Sequence, residues 1–428
     1  MVFRIGVCGA GGYASHFIPM FQAHPLVDEV TLAEPLEERR TAVAERHGLR
    51  RTFTSLDALL DSNCDAAAIC TQRWLHGPQT VRALEAGKHV YAAVPAAVTL
   101  DELAEVVRAV ERTRLTYMLG ETSYYRPQTI YCRKRFAAGD FGRFVYGEGQ
   151  YYHDMAHFYS PYSGANGPEW KRYASFPPML YPTHSVSHVL SVTFRCMTAV
   201  SCFGFVDTHE DGIFREELSA WGNAFSNEMA LFRTSDGGAA RINELRRNGA
   251  GESRMSIIGT AAAYEEQPGS GVWSWLEAEG DIHGEGGEID HDATGRLVKR
   301  RDQDLSHLRD TAGVVITEEN LGQLPRALLG KTWPGVAAVH EIGRLPPEFL
   351  SVRSGHAGSH HFLVADFLDA LATRKLAPNN VWLAARYNAP GIVAHESAKR
   401  GGELLPIPDF GTPPSDWMLL DPATALRE

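Results

Sequence analysis

Val2-Phe3-Arg4-Ile5-Gly6-Val7-Cys8-Gly9-Ala10-Gly11-Gly12-Tyr13-Ala14 is the stretch that decides the fold. Its apolar first half reads as a buried strand. The strand runs straight into Gly-x-Gly-x-x-Ala, a spacing in which each small residue has a job. Gly9 permits a tight turn, Gly11 lets backbone approach a pyrophosphate, and Ala14 lets the next helix lie close on the strand. The helix, expected from about Tyr13 to Ala23, would aim its first amides at the phosphates, with Gly12 and Tyr13 beside them. A second strand, Val27 to Ala33, ends in Glu34, roughly 20 residues past the turn, where an acid accepts hydrogen bonds from the adenosine ribose. A carboxylate there repels a 2′-phosphate, so the expected dinucleotide is NAD rather than NADP.

Outward from this unit, strand and helix keep alternating. Asp65 to Cys70 reads as a strand, Pro78 to Ala86 as a helix, and His89 to Ala93 as a strand. Leu100 to Arg112 reads as an amphipathic helix and Thr116 to Gly120 as a strand. Alternation of this kind implies an α/β, doubly wound parallel sheet, a Rossmann domain over residues 1–123. Beyond it the pattern changes to strands with few helices between them: Tyr146 to Tyr152, Val200 to Val206, Ser219 to Ala224, Glu228 to Thr234, Gly238 to Leu245 and Met255 to Gly259. Residues 124–428 therefore read as an α+β domain with a large, mostly antiparallel sheet. Two late helices, His360 to Ala372 and part of Val381 to Lys399, are expected to pack back on the assembly. The polar stretch from Glu277 to Asp310 reads as a surface excursion. Its acids Asp281, Glu285, Glu288, Asp290 and Asp292 lack an EF-hand spacing.

With 428 residues and a formal net charge of -11, the chain lacks the basic face that a nucleic-acid binder needs. No apolar run reaches the ~20 residues that span a bilayer. The chain opens directly on a strand, which predicts no leader peptide and a cytoplasmic address. Six scattered cysteines, Cys8, Cys64, Cys70, Cys132, Cys196 and Cys202, read as reduced, buried small hydrophobes. His153 and Asp154 resemble half of a metal site, but no third ligand has supporting spacing, so no metal is expected.

Several further stretches carry a resemblance. Thr71 through His76, Ala83-Leu84-Glu85-Ala86-Gly87-Lys88-His89-Val90, Pro95, Tyr125-Arg126-Pro127 and Phe141-Gly142-Arg143-Phe144-Val145 resemble the glucose-fructose oxidoreductase/inositol dehydrogenase family of NAD(P)-dependent sugar enzymes. The resemblance implies that Thr71, His76 and Pro95 border the cofactor and that the protein forms dimers or tetramers through an open sheet face. It also exposes a departure. Dehydrogenases of that family end the fifth strand in Glu-Lys-Pro, and the lysine takes a proton from the oxidised hydroxyl. Here the stretch is Ala93-Val94-Pro95, and valine moves no proton.

A subgroup on the same fold, glycoside hydrolase family 109, accounts for the change. Val94-Pro95-Ala96-Ala97-Val98-Thr99-Leu100, Glu121-Thr122-Ser123-Tyr124, Glu148-Gly149-Gln150-Tyr151-Tyr152-His153-Asp154 and Tyr181-Pro182-Thr183-His184-Ser185 are similar to its segments. Gly355-His356-Ala357-Gly358 echoes another more loosely. This resemblance implies a glycosidase in which NAD is reduced and reoxidised within one turnover. It nominates Tyr151 for a proton step at C2, His184 for the leaving group or water, and Tyr181 and Glu121 as binding or orienting groups. His153, Lys171, Arg172, Arg247 and His356 would contact substrate. A tyrosine base needs a cation beside it, for which Lys171, Arg172 or His153 are the candidates.

Arg241, Arg246, Arg247 and Arg254 lie close in sequence, near Glu244. They read either as surface pairs or as a grip on an anionic sugar. N-acetylgalactosaminides and sulfoquinovosides are both open as substrates. A sugar or cyclitol dehydrogenase with net hydride transfer is the second reading, and a non-catalytic NAD sensor the third.

Overall fold

The computed structural model describes residues 2–278, 289–291 and 297–426. Its first 120 residues alternate strand and helix. The elements are β1 (Phe3–Cys8), α1 (Gly12–Ala23), β2 (Val27–Ala33), α2 (Glu37–His47), β3 (Thr52–Phe53), α3 (Leu56–Leu60), β4 (Ala66–Ile69), α4 (His76–Glu85), β5 (His89–Ala92), α5 (Leu100–Thr113) and β6 (Tyr117–Leu119). All six strands are parallel, in the order β3-β2-β1-β4-β5-β6. This is the dinucleotide-binding order. The order in which strands are added switches direction between β1 and β4, opening a crevice at the carboxyl ends of the strands. The strands read as apolar because both faces are covered: Ile5, Val7, Leu32 and every residue of β4 are buried.

The second half contains α6 (Pro127–Ala137), β7 (Phe144–Tyr152), α7 (Tyr159–Asn166), α8 (Trp170–Ala174), α9 (Thr183–Thr193), β8 (Met197–Val206), β9 (Phe225–Thr234), β10 (Ala239–Leu245), β11 (Glu252–Gly259), β12 (Ala262–Gln267), β13 (Ser270–Ala278), β14 (Ile289–His291), β15 (Leu297–Asp304), β16 (Gly313–Val315), β17 (Thr332–Pro334), α10 (Ser359–Thr373), α11 (Val381–Lys399) and β18 (Leu405–Pro406). Ten of these strands form one sheet, β14-β15-β13-β12-β11-β7-β10-β9-β8-β18. Every pairing in it is antiparallel except β7 with β10. Helix α9 lies across β7 so closely that a Cβ on Gly149 would sit 1.9 Å from Ser185 O. Gly149 is what lets the two elements meet.

The late helices return to the first sheet. α10 packs on α1, and α11 packs on α5 and β8. The buried Asn388 amide accepts from Ala96 N (2.7 Å) and donates to Ala97 O (2.9 Å), tying α11 to the loop after β5. All six cysteines are free thiols, and all but Cys196 are buried. Among the described residues no helix is long and apolar enough to cross a membrane, and no group of three or more His, Cys, Asp or Glu is placed to hold a metal ion.

Two expectations are corrected. Ser219 to Ala224 is not a strand but a series of turns. Trp221 folds inward there, its ring 4.9 Å from Phe176 and 5.5 Å from Trp74. The excursion from Glu277 to Asp310 contains β15, which extends the sheet by pairing with β13. Of its acids, Asp281, Glu285, Glu288 and Asp292 lie outside the described residues, as does the side chain of Asp290.

Candidate active site

The glycine turn comes first in the chain and sets the cofactor end of the crevice. Gly9 has φ +93°, and a Cβ there would lie 2.6 Å from Cys70 O, so only glycine fits. Gly11 caps α1 without any side-chain acceptor, and a Cβ at Gly11 or Gly12 would meet nothing within 4 Å. The first amides of α1 thus face open space, which is what a pyrophosphate requires. Ala14 is fully buried against the sheet. Glu34, 4% exposed, accepts from Ala10 N and from Leu36 N, both at 3.0 Å. Its carboxylate braces the turn from the side where a ribose would lie.

The remaining sequence candidates for this end are inward-facing. Tyr13 stacks on Phe17 at 4.4 Å and its hydroxyl lies 2.7 Å from that of Tyr91, with Gly120 O at 3.2 Å. The ring nitrogens of His76 face Pro95 O (2.8 Å) and Thr71 O (3.1 Å), and the Thr71 hydroxyl donates to Gln79. These residues lock the β4 and β5 loops together. Val94, where the dehydrogenase lysine would stand, is 5% exposed.

At the end of β6 stands Glu121, fully buried. His184, in the first turn of α9, donates from Nδ1 to its carboxylate at 2.8 Å, and Ser123 N donates at 2.7 Å. Burial works against the charge of Glu121, but His184 and the other donors outweigh it and hold the carboxyl down at about 2. His184 Nε2 has no hydrogen-bond partner among the described residues. With Nδ1 committed to a carboxylate, Nε2 is the free, basic nitrogen.

The rings of Tyr151 and Tyr181 stand 5.1 Å and 5.3 Å from that imidazole. Tyr151 Oη lies 2.7 Å from His153 Nδ1. Of the groups expected to supply a cation beside the tyrosines, only His153 is in place, and it is uncharged. Lys171 donates to Asp211 O at 2.8 Å, and Arg172 is exposed. Burial pulls His153 down to about 4, helped by Arg246, so it is neutral at pH 7.

Two other arginines take that place. Arg246, 3% exposed, lies 4.7 Å over the Tyr151 ring and 5.5 Å from that of Tyr181. Its Nη2 donates to Glu244 Oε2 at 2.5 Å and to Tyr181 O at 3.3 Å. Glu244 also accepts from Ser185 Oγ, and burial pushes it up to about 7 against the pull of Arg246. Arg73 lies 4.4 Å over the other tyrosine, Tyr181. Burial nonetheless keeps both phenols above their ordinary range, with Arg246 pulling Tyr151 and Arg73 pulling Tyr181 the other way.

Arg247 is held away from this centre. Asp207 (3.0 Å), Asp211 (2.7 Å) and the Tyr159 hydroxyl (3.1 Å) occupy its guanidinium. His356 is exposed, 2.7 Å from His360 Nε2, at the approach to α10. The structure therefore brings together Glu121, His184, Tyr151, Tyr181 and His153, and adds Arg73 and Arg246. Arg73 lies within the Thr71–His76 stretch and Arg246 within the arginine cluster, so both were in view as letters. Nothing in the linear pattern separates a buried guanidinium from a solvated one.

Comparison with known proteins agrees with this architecture. Residues 3–121 match the family model GFO_IDH_MocA, described as "Oxidoreductase family, NAD-binding Rossmann fold". A glycosyl hydrolase family 109 protein of Streptomyces niveus is 24% identical over 98% of this chain and 79% of its own. An alpha-N-acetylgalactosaminidase of Bacteroides fragilis is 33% identical over 30% of this chain and 31% of its own. Across the most similar relatives the matched stretch runs from 31% to 79% of their length. In fold, the chain is similar to levoglucosan dehydrogenase in complex with NADH, with TM-score 0.68, 17% identity, and coverage of 96% of this chain and 100% of that one. Residues 3–121 thus carry the NAD-binding Rossmann fold of that oxidoreductase family, and the chain as a whole is similar to glycosyl hydrolase family 109 proteins.

Proposed function

We propose that this protein is an NAD-dependent glycoside hydrolase that works by transient oxidation of its sugar. The observation that carries the reading is the buried Glu121–His184 pair facing Tyr151, with Val94 in the place of the dehydrogenase lysine. Proton transfer has moved from the Rossmann loop to α9.

When bound, NAD supplies one capability, taking a hydride from the substrate's C3 and giving it back. The open N-terminus of α1, Gly11, Gly12 and Glu34 would hold it. His184 Nε2 takes the C3 hydroxyl proton, because Glu121 fixes the tautomer and stabilises the imidazolium that results. The C3 ketone acidifies the C2 proton. Tyr151 takes that proton as its own passes to His153, and Arg246 over the ring stabilises the phenolate that develops. The imidazolium then gives its proton to the departing C1 oxygen. Water adds to the enone, its oxygen bonding to C1 and its proton passing to His184, while the proton held by the Tyr151–His153 pair returns to C2. Hydride then returns to C3 and His184 protonates the C3 oxygen. Each positioned acid or base contributes about 10²–10⁴-fold. The substrate is a small hexoside. The exposed Phe203, Phe205 and Leu231 on the outer face of the large sheet support a homo-oligomer.

Chromogenic hexosides, with and without added NAD, test the reading while NADH absorbance is followed. Release of aglycone without net NADH, together with deuterium at C2 in heavy water, is the expected result. Stoichiometric NADH would establish net dehydrogenation instead, with His184 as the base that replaces lysine.

A further inference from the structure

Arg73 occupies an unusual electrostatic position. Its guanidinium lies 4.4 Å over Tyr181, 5.6 Å from the Phe176 ring and 5.7 Å from that of Phe158. Among the described residues the guanidinium donates one hydrogen bond, to the Tyr162 hydroxyl at 3.3 Å. Among the described residues no carboxylate pairs with it. Two other arginines of this region are neutralised, Arg246 by Glu244 and Arg247 by Asp207 and Asp211. Arg126, which also acts on Tyr151, has no carboxylate partner among the described residues either, but it does not lie over Tyr181. Aromatic faces attract a cation but do not cancel its charge. A half-buried guanidinium held by rings alone keeps its fork of donors for an anion from outside.

The position identifies which anion. Arg73 follows β4, on the Rossmann side of the crevice, yet the rings around it, Phe158, Tyr162, Phe176 and Tyr181, come from beyond the Rossmann unit. Tyr181 is shared between Arg73 and the imidazole of His184. The guanidinium thus shares Tyr181 with the candidate proton-transfer group and borders the space in which a sugar would lie. We infer that Arg73 is a specificity residue and that the substrate is an acidic sugar, carrying a carboxylate or sulfonate that this guanidinium binds. The inference rests on the sugar-processing reading above and names the substrate class that it left open.

The test is equilibrium binding to the NAD-loaded protein, read by tryptophan fluorescence. The probes are methyl hexosides matched in stereochemistry and differing at C6: hydroxymethyl, carboxylate, or sulfonated methylene. The wild type should bind one of the two acidic sugars at least about 50-fold tighter than the neutral one, a usual size for a charged hydrogen-bonded contact. The carboxylate and sulfonate arms show which anion is native. Arg73→Gln should abolish the preference and leave NAD affinity within threefold, and Arg73→Lys should keep part of it. Equal binding of all three sugars by the wild type overturns the inference. So does an Arg73→Gln variant that loses NAD affinity, which would assign the guanidinium to the pyrophosphate. Turnover of the matched p-nitrophenyl glycosides separates the two proposals. Accumulating NADH without aglycone release refutes the hydrolase, while the acidic-to-neutral ratio still judges Arg73.

Discussion

Replacing Glu121 by Gln removes one charge from a site that is otherwise left in shape. Glu121 is fully buried and its carboxyl is held at about 2, where an ordinary glutamate sits at 4.5. Each tenfold displacement is worth ~1.4 kcal/mol, so the charged carboxylate stabilises the native state by roughly 3 kcal/mol at neutral pH. The sign follows from the direction. A depressed carboxyl lends its stability above the unfolded value and loses it as pH falls from about 4.5 towards 2. Glu121→Gln should therefore lower Tm by roughly 3 °C at pH 7, and the gap to wild type should close as pH drops below 5. Activity should fall further than stability. The new amide can donate to His184 Nδ1, which leaves the proton on Nε2 and blocks its use as a base, at a cost of about 10²–10⁴ in kcat. The assay is aglycone release at saturating NAD, with Tm measured from pH 3 to 8. A variant within threefold of wild-type kcat, or a Tm gap that does not narrow in acid, would refute the reasoning.

Other perturbations separate proton transfer from cofactor binding and from packing. His184→Ala and Tyr151→Phe should each abolish turnover while NAD affinity stays within threefold in fluorescence titration; near-normal rates in both would remove the assignment. Arg246→Gln should raise Tyr151 still higher and move the rising limb of kcat/KM to higher pH, with Arg246→Lys restoring part of the shift. An unmoved limb would show that the guanidinium only fills space. Gly149→Ala, whose Cβ would meet Ser185 O at 1.9 Å, should cost about 3 kcal/mol by overpacking and reduce kcat by displacing His184 from Tyr151. Unchanged Tm and turnover would mean that α9 and β7 have room to part.

The parallel sheet was legible because a strand buried on both faces must be apolar, and the glycine turn has few other uses. The second sheet was legible only in its middle. β15, Leu-Val-Lys-Arg-Arg-Asp-Gln-Asp, spends most of its length on charge, and such a run reads as a loop until β13 beside it is seen. Ser219 to Ala224 misled in the opposite sense. Trp221 looks like strand composition, but its ring is recruited by Trp74 and Phe176 from distant segments. In the site, the motif residues Glu121, Tyr151, Tyr181 and His184 converge, whereas the two arginines over the rings required three dimensions. Arg246 and Arg247 are adjacent in sequence and differ completely in surroundings, one under two tyrosines and the other between two aspartates. On a strand end, neighbours point to opposite faces, and that alternation sorts the pair.

The same geometry explains why loss of a lysine need not mean loss of chemistry. In this chain the groups of the proposed site are divided between the Rossmann unit and the elements that follow it. Glu121 stands at the end of β6 and Arg73 beyond β4, while His184 and Tyr151 belong to α9 and β7. The Glu121–His184 bond and the Arg73–Tyr181 contact both cross the junction. A lysine on the β5 loop would act from the Rossmann side alone. A histidine on α9 acts only when the second sheet is seated, because its tautomer is set by a carboxylate from the first. Seating is in turn secured by Gly149 beneath α9 and by Asn388 on α11. In the proposed mechanism, proton transfer therefore depends on how the two parts of the chain pack. Asn388→Ala, which cuts the tie to Ala96 and Ala97 without removing any group of the proposed proton transfer, should lower kcat along with Tm. A variant that lost stability but kept full turnover would break that link.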